Sequence, residues 1–226
     1  MKKNLITFLL TIIAISANAQ CKYCNTYEDF IADRWQKLDT IYCDSHSKMR
    51  QIWWGGNDYK LTTGDKATNK ILKKKAFAVM RGDTLYVNCR NLRYENTCFG
   101  NGYTKAMRIG QRSLLFVNKI IGSEASSDVM RSQFLFGVIG SMITASEQME
   151  QQVCYVISFG ANNNGEISIR LIDDRLVEQM ITDAHHYDLY DEFYAERDPE
   201  KRLLAKHVIP ILEKAGLFSQ YLKKQH

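Results

Sequence analysis

The sequence predicts an α+β fold: a largely antiparallel sheet of hairpins packed on an apolar helix, with further helices closing the chain. Three observations predict it. Alternating apolar arms flank short turn stretches at Arg81-Gly82-Asp83 and Asn162-Asn163-Asn164-Gly165, the pattern of half-buried hairpins. The window 132–146 carries no charged residue and suits a core helix packed against the sheet, being shorter than the roughly 20 residues a membrane span needs. From Asp173 onward the apolar residues fall at helical spacing.

The elements follow in chain order. Lys2 and Lys3 precede an apolar run from Leu5 to Ile15, and Ala17-Asn18-Ala19 supplies small residues before Gln20. This is the layout of a secretory signal peptide cleaved between Ala19 and Gln20. A lipoprotein signal wants a small residue directly before its acceptor cysteine, and here Gln20 precedes Cys21. Simple cleavage is therefore expected over lipid anchoring on Cys21. The expectation is an exported chain, in the periplasm, the outer envelope or outside the cell. Residues 20–226 form one α+β domain whose helical part covers about 173–216.

Thr26 is placed to cap a helix reaching about Gln36, with Phe30, Ile31 and Trp35 on one side. Lys37–Cys43 and Met49–Trp54 read as strands around a polar turn, followed by a Gly55-Gly56-Asn57-Asp58 turn. Thr63–Lys75 reads as a loop and a short basic helix. Ala76–Met80 and Thr84–Leu92 make the first clear hairpin, with Leu85, Val87 and Cys89 on its buried face. Ser113–Asn118 is another strand. Val153–Phe159 and Glu166–Ile172 make the second hairpin. Asp173 or Asp174 caps a helix carrying Leu176, Val177, Met180 and Ile181, and a second helix covers Asp188–Glu196. A last one starts at Asp198-Pro199, runs through Leu203, Leu204, His207, Val208, Ile211 and Leu212, is kinked by Pro210, and stops at Gly216.

Four stretches together resemble a known family: Ile52-Trp53-Trp54-Gly55-Gly56-Asn57-Asp58-Tyr59-Lys60, Asp83 to Tyr94 (DTLYVNCRNLRY), Phe99-Gly100-Asn101-Gly102-Tyr103, and the apolar segment leading into Val153-Cys154-Tyr155-Val156-Ile157. In this order they resemble exported proteins of unknown function from Bacteroidota. The resemblance implies an envelope or extracellular location and carries no activity, ligand or catalytic residue.

Composition narrows the function classes. The net charge of +5 falls to +3 when Lys2 and Lys3 leave with the leader, too mild a balance to argue for nucleic acid. No P-loop, dinucleotide fingerprint or Gly-x-Ser-x-Gly elbow is present, and no cofactor is assigned. Six cysteines, Cys21, Cys24, Cys43, Cys89, Cys98 and Cys154, would reach a compartment where disulfides form. Cys21 and Cys24 have redox-pair spacing, but no strand and helix start frame them, so tail cysteines are the expectation.

The densest set of metal-ligand types is His185-His186 with Asp183 and Asp188, but no zinc spacing is matched, and a solvated inter-helix segment explains it. Cys89 or Cys154 with His207 names a thiol dyad that any such composition allows. Trp53, Trp54, Tyr59, Tyr94 and Tyr103 sit near amide-rich turns and suit sugar rings, although core packing explains them as well. Lys66, Lys70 and Lys73-Lys74-Lys75 suit anionic lipid or polysaccharide, or simply a solvated helix face. Arg81-Gly82-Asp83 is what a hairpin turn requires and carries no adhesion argument. The reading is a non-enzymatic binding or structural protein. Its alternatives are a metal- or thiol-dependent hydrolase, or a membrane-surface or polysaccharide-binding protein. Candidate partners are envelope polysaccharide, lipid or another envelope protein.

Overall fold

A computed structural model describes residues 21–46, 57–122, 152–160 and 166–218. The expected strand Met49–Trp54, the apolar window 132–146, and the turn 162–165 lie outside the described residues, as does the expected leader, residues 1–19.

The α+β class is as expected, and one ten-stranded antiparallel sheet organises the chain. Its strands are β1 (Cys21–Cys24), β2 (Gln36–Leu38), β3 (Tyr42–Ser45), β4 (Tyr59–Thr62), β5 (Ala78–Arg81), β6 (Thr84–Asn88), β9 (Tyr103–Ile109), β10 (Ser113–Asn118), β11 (Val153–Phe159) and β12 (Ile167–Leu171). The main path runs β12-β11-β10-β9-β6-β5-β1-β2, and the β3–β4 hairpin joins it through Tyr59 opposite Tyr103. A two-stranded ribbon, β7 (Arg93–Tyr94) and β8 (Thr97–Cys98), stands apart. The helices among the described residues are α1 (Tyr27–Ile31), α2 (Lys66–Lys74), α3 (Asp174–Asp183), α4 (Leu189–Phe193), α5 (Pro199–Arg202) and α6 (Ala205–Lys214).

Several expectations hold in detail. Thr26 caps α1 and Asp173 caps α3 through side-chain oxygens that accept the N–H three residues on. The first hairpin pairs Arg81 with Thr84 across a two-residue turn in which Gly82 takes a positive φ of 57°, which the primed hairpin turns require. The second pairs Phe159 with Ile167. At the end of α6 the Gly216 N–H donates to Glu213 and the Leu217 N–H to Leu212, with Gly216 left-handed at φ 67°. This is a Schellman stop.

Other expectations are corrected. The first helix ends at Ile31, because Asp33 turns left-handed (φ 54°). Trp35 therefore leaves the helix and packs edge-on against Phe30, 6.0 Å between centroids. The strand expected over Lys37–Cys43 is two strands with different partners: β2 pairs β1, β3 pairs β4, and Ile41 turns inward between them. The helix expected from Asp198 to Gly216 is broken at Leu203–Leu204, where Leu204 bridges to Val153 and the Ala205 N–H donates to the Gln152 carbonyl. Sheet pairing has overridden helical spacing there. Cys21 and Cys24 are not tail residues: they delimit β1, which lies between β2 and β5. The strand β9 went unseen in the sequence because Lys105 and Arg108 interrupt its apolar alternation.

Alternation along β9 shows how the faces are shared. Tyr103 packs in a cluster with Tyr23, Val79, Tyr86 and Leu72 of α2. Met107 and Ile109, of the same parity, pack with Leu115, Val156 and the α3, α4 and α6 residues Val177, Phe193 and Val208. Ala106 points the other way, to Leu85, Val87, Phe116 and Tyr155. Residues of like parity share a face, so α2 and the C-terminal helices sit on the same side of the sheet, over different strands. Both faces of β6 are consequently buried, not only the Leu85–Val87 side: Tyr86 and Asn88 lie under α2.

Candidate binding face

The motif residues converge, and what they build is an interior. Asn118 donates to the Asn57 side-chain oxygen at 2.7 Å, and Asn57 donates to the carbonyls of Phe99 (3.2 Å) and Asn101 (3.0 Å). Asn88 donates to Leu72 (3.0 Å) and Ala76 (2.9 Å), holding the C-terminal end of α2 to the sheet, and accepts from the Arg90 N–H. The single Thr104 hydroxyl proton lies between two acceptors, Val117 O at 3.0 Å and Asp58 Oδ2 at 3.2 Å. Gly102 has φ +100°, and a Cβ there would meet the Tyr59 carbonyl at 3.0 Å. Asn57, Asn88, Thr104 and Asn118 are buried, and buried amides of this kind fix one loop arrangement when satisfied.

The aromatic candidates divide. Trp53 and Trp54 lie outside the described residues. Tyr103 is 3% exposed and donates its hydroxyl to Leu72 O at 2.6 Å, and burial raises that hydroxyl's pKa. Tyr59 is half-buried, edge-on to Tyr86 at 5.2 Å, with Lys105 Nζ 5.8 Å from its ring centre. Tyr94 is half-buried against Tyr155.

All six cysteines are thiols. Cys21 and Cys24, three apart in a strand, enter different clusters on opposite faces of the sheet. Burial pushes the Cys24 and Cys154 thiols up to about 12 and raises Cys89 as well. A nucleophile must be a thiolate, and burial opposes it at Cys89 and Cys154. Cys98 is exposed. His207 is half-exposed rather than interior. It lines an open cleft of about 320 Å³ with Glu192, Phe193, Glu196, Lys206 and Pro210.

The four metal candidates lie at the turn between α3 and α4. His185 adopts φ 59° and is exposed. His186 Nδ1 stands 3.8 Å from Asp188 Oδ1, the one close approach among the four. Among the described residues no three His, Cys, Asp or Glu side chains are grouped to hold a metal ion.

The helices on one side of the sheet are a different matter. Asp65 caps α2 by accepting from the Thr68 N–H at 2.6 Å, and Leu72 buries the inner side of the helix. At 100° per residue, Lys66, Lys70, Lys73 and Lys74 then fall on the outer side, and all four are exposed, with Lys75 beside them. Segment 66–75 contains five lysines and no acid. Segment 173–196, over the other half of the same face, has eight carboxylates against Arg175 alone. Asp183, Asp188 and Asp191 are exposed there. Tyr187 is 58% exposed between them, its ring 6.4 Å from that of Tyr190 and inclined 28° to it.

Internal bonds hold this acidic layer in place. Arg202, buried between the rings of Phe193 (5.5 Å) and Tyr194 (4.7 Å), donates to both Asp174 oxygens, at 3.0 and 2.5 Å, and to the Glu196 carbonyl. Tyr194 donates to Glu178, and Lys214 pairs with Glu192. In the sequence the signal for this surface is the run of eight carboxylates in 173–196, among which Tyr187, Tyr190 and Tyr194 fall.

The chain is thus an α+β domain whose antiparallel sheet carries a basic helix and an acidic helical layer on one side. Residues 22–219 match a family of unknown function (DUF6563), and the chain belongs to that family. Neither a curated protein nor a solved structure matches it.

Proposed function

We propose that the chain is an exported envelope protein that works by non-covalent binding, through the side of its sheet that bears α2 and α3–α4. Export is supported by the basic, apolar and small-residue succession of residues 2–19. Cys21 is 5% exposed within the sheet, and a lipid on its sulfur would have to leave that packing. This favours plain cleavage over a lipid anchor.

The observation that carries the binding reading is the separation of charge on one side of the sheet, five exposed lysines on and beside α2 and a carboxylate-rich layer with an exposed tyrosine on α3–α4. A polyanionic glycan or an anionic lipid surface would meet the lysines but be repelled by the carboxylates. A protein surface bearing both signs satisfies both, so an envelope protein is the preferred partner. Among the described residues no helix is long and apolar enough to cross a membrane.

The test is binding of purified mature chain to washed envelopes at low and high salt. Wild type is expected to bind at low salt and release at high salt, and the triple variant Lys70→Glu, Lys73→Glu, Lys74→Glu is expected to lose binding. Equal retention of the two proteins in all conditions would remove the charged side from the account.

A further inference from the structure

We propose that the partner is a second copy of this chain, docked face to face about a two-fold axis, so that α2 of each copy lies against α3–α4 of the other. The inference rests on the binding reading above and names its partner. Three observations carry it.

The first is geometric. The basic and acidic layers are on the same side of one sheet, α2 packed in a cluster with residues of β1, β4, β5 and β6, and α3–α4, together with α6, in a cluster with residues of β9, β10 and β11. A two-fold axis lying in the plane of contact, parallel to the line that divides the two layers, turns the second copy to face the first and exchanges them. Each lysine stripe then faces the other copy's carboxylates, and the complementary contact is made twice. A two-fold interface requires one self-complementary patch, and a single chain supplies both halves here.

The second is the state of the charges within the chain. Lys66, Lys70 and Lys74 follow one another at i, i+4 spacing, where like charges repel. No ion pair among the described residues involves them, and the Asp183 and Asp191 side chains likewise make no ion pair or hydrogen bond with described residues. Asp174, Glu178 and Glu192 are already used by Arg202, Tyr194 and Lys214. The charges left over are those that face outward.

The third is Tyr187. Its ring, 58% exposed and stacked near Tyr190, stands among Asp183, Asp188 and Asp191. An aromatic face beside carboxylates receives an ammonium group by cation–π contact as well as by charge. The lysine stem also covers the ring, which removes apolar surface from water.

The experiment is light scattering on the mature chain at about 20 mM and about 500 mM salt, where the screening length is roughly 20 Å and roughly 4 Å. A dimer is expected at low salt, with at least a roughly tenfold weaker association at high salt. The Lys70→Glu, Lys73→Glu, Lys74→Glu variant should be monomeric in both, and so should an Asp183→Lys, Asp188→Lys, Asp191→Lys variant. The two variants mixed in equal amounts should form a heterodimer, since one now presents acid in both layers and the other base in both. All substituted residues are exposed, and unchanged circular dichroism and melting of each variant confirm that the fold is kept.

A wild-type monomer at low salt overturns the proposal, as does a dimer that survives in both variants. Open-ended growth with concentration overturns the two-fold arrangement. A wild-type monomer that still binds envelopes in a salt-dependent way sinks the second copy alone and leaves a different envelope protein as the partner.

Discussion

Replacing Asn88 by aspartate changes one NH₂ into an oxygen and tests whether the buried amide network holds α2 in place. In the native chain the Asn88 amide donates to the carbonyls of Leu72 and Ala76, and Leu72 also receives the Tyr103 hydroxyl. An ionised carboxylate would aim a negative oxygen at two carbonyl oxygens with no proton between them. The variant avoids this by protonating the new carboxylate, which restores one donor and leaves the Ala76 or the Leu72 bond unmade. Protonating a group of ordinary pKa about 3.9 at pH 7 costs about 4 kcal/mol, and one lost hydrogen bond adds about 1 kcal/mol. The expected loss at pH 7 is therefore about 5 kcal/mol, a large part of the roughly 5–15 kcal/mol typical of a domain.

Asn88→Ala removes both donors and orphans the Ala76 carbonyl without introducing a charge, a loss of about 2–3 kcal/mol. The pH dependence separates the two. In Asn88→Asp the folded pKa is raised above the unfolded one, so the protonation penalty is absent below about pH 4 and grows by about 1.4 kcal/mol per unit above it. Urea unfolding at pH 7 and pH 4, followed by tryptophan fluorescence, reads this directly. At pH 7 the aspartate variant should unfold at least about 1 M urea earlier than the alanine variant, and at pH 4 the order should reverse. An aspartate variant within about 1 kcal/mol of wild type at pH 7 would refute the reasoning.

Further outcomes are expected elsewhere. Thiol titration of the native mature chain with a coloured disulfide reagent should consume Cys98 fast and Cys43 more slowly, while Cys24, Cys89 and Cys154 react only on unfolding, their thiolates being opposed by burial. Arg202→Ala should lower stability by about 3 kcal/mol, because it strands a partly buried carboxylate and opens the space between two rings. In a thermal melt that is a fall of about 6–12 °C for a chain of this size, and Arg202→Lys should recover little of it, since lysine cannot form the two-point contact. Asp65 accepts from Thr68, by side chain and backbone, and from the Ala67 N–H, which hold its carboxyl below the ordinary range. Its contribution to α2 is therefore full above about pH 4 and fades as pH falls through the lowered folded value. An NMR titration of the Asp65 carboxyl at its ordinary value would contradict the cap.

The parts of the fold written in local chemistry were legible in the sequence. The Thr26, Asp173 and Asp198 caps, the Gly82 turn and the Gly216 stop each depend on one or two residues, and each stands where the sequence places it. What failed depended on distant partners. The break at Leu203–Leu204 exists because β11 offers Val153 and Gln152 as partners, and no spacing within the helix announces it. β9 is central, yet Lys105 and Arg108 disguise its alternation, and its burial comes from β6 and β10 on either side. The site was legible in composition and not in arrangement. Five lysines and eight carboxylates can be counted in the sequence, but their sharing of one side of the sheet follows only from register. The histidines of the α3–α4 turn stand out in the sequence as metal-ligand types, while nothing local marks Tyr187 beside them as exposed.

Native mass spectrometry of the protein recovered from the envelope of its own host is the sharpest check on export and binding together, because one spectrum reads the start of the chain, any lipid and the bound partner. The expected species is a chain beginning at Gln20, without lipid, held in a non-covalent complex that salt dissociates. Recovery of the chain from the cytosol with Met1 still attached would contradict export, and recovery of a mature chain that is alone at every ionic strength would contradict binding.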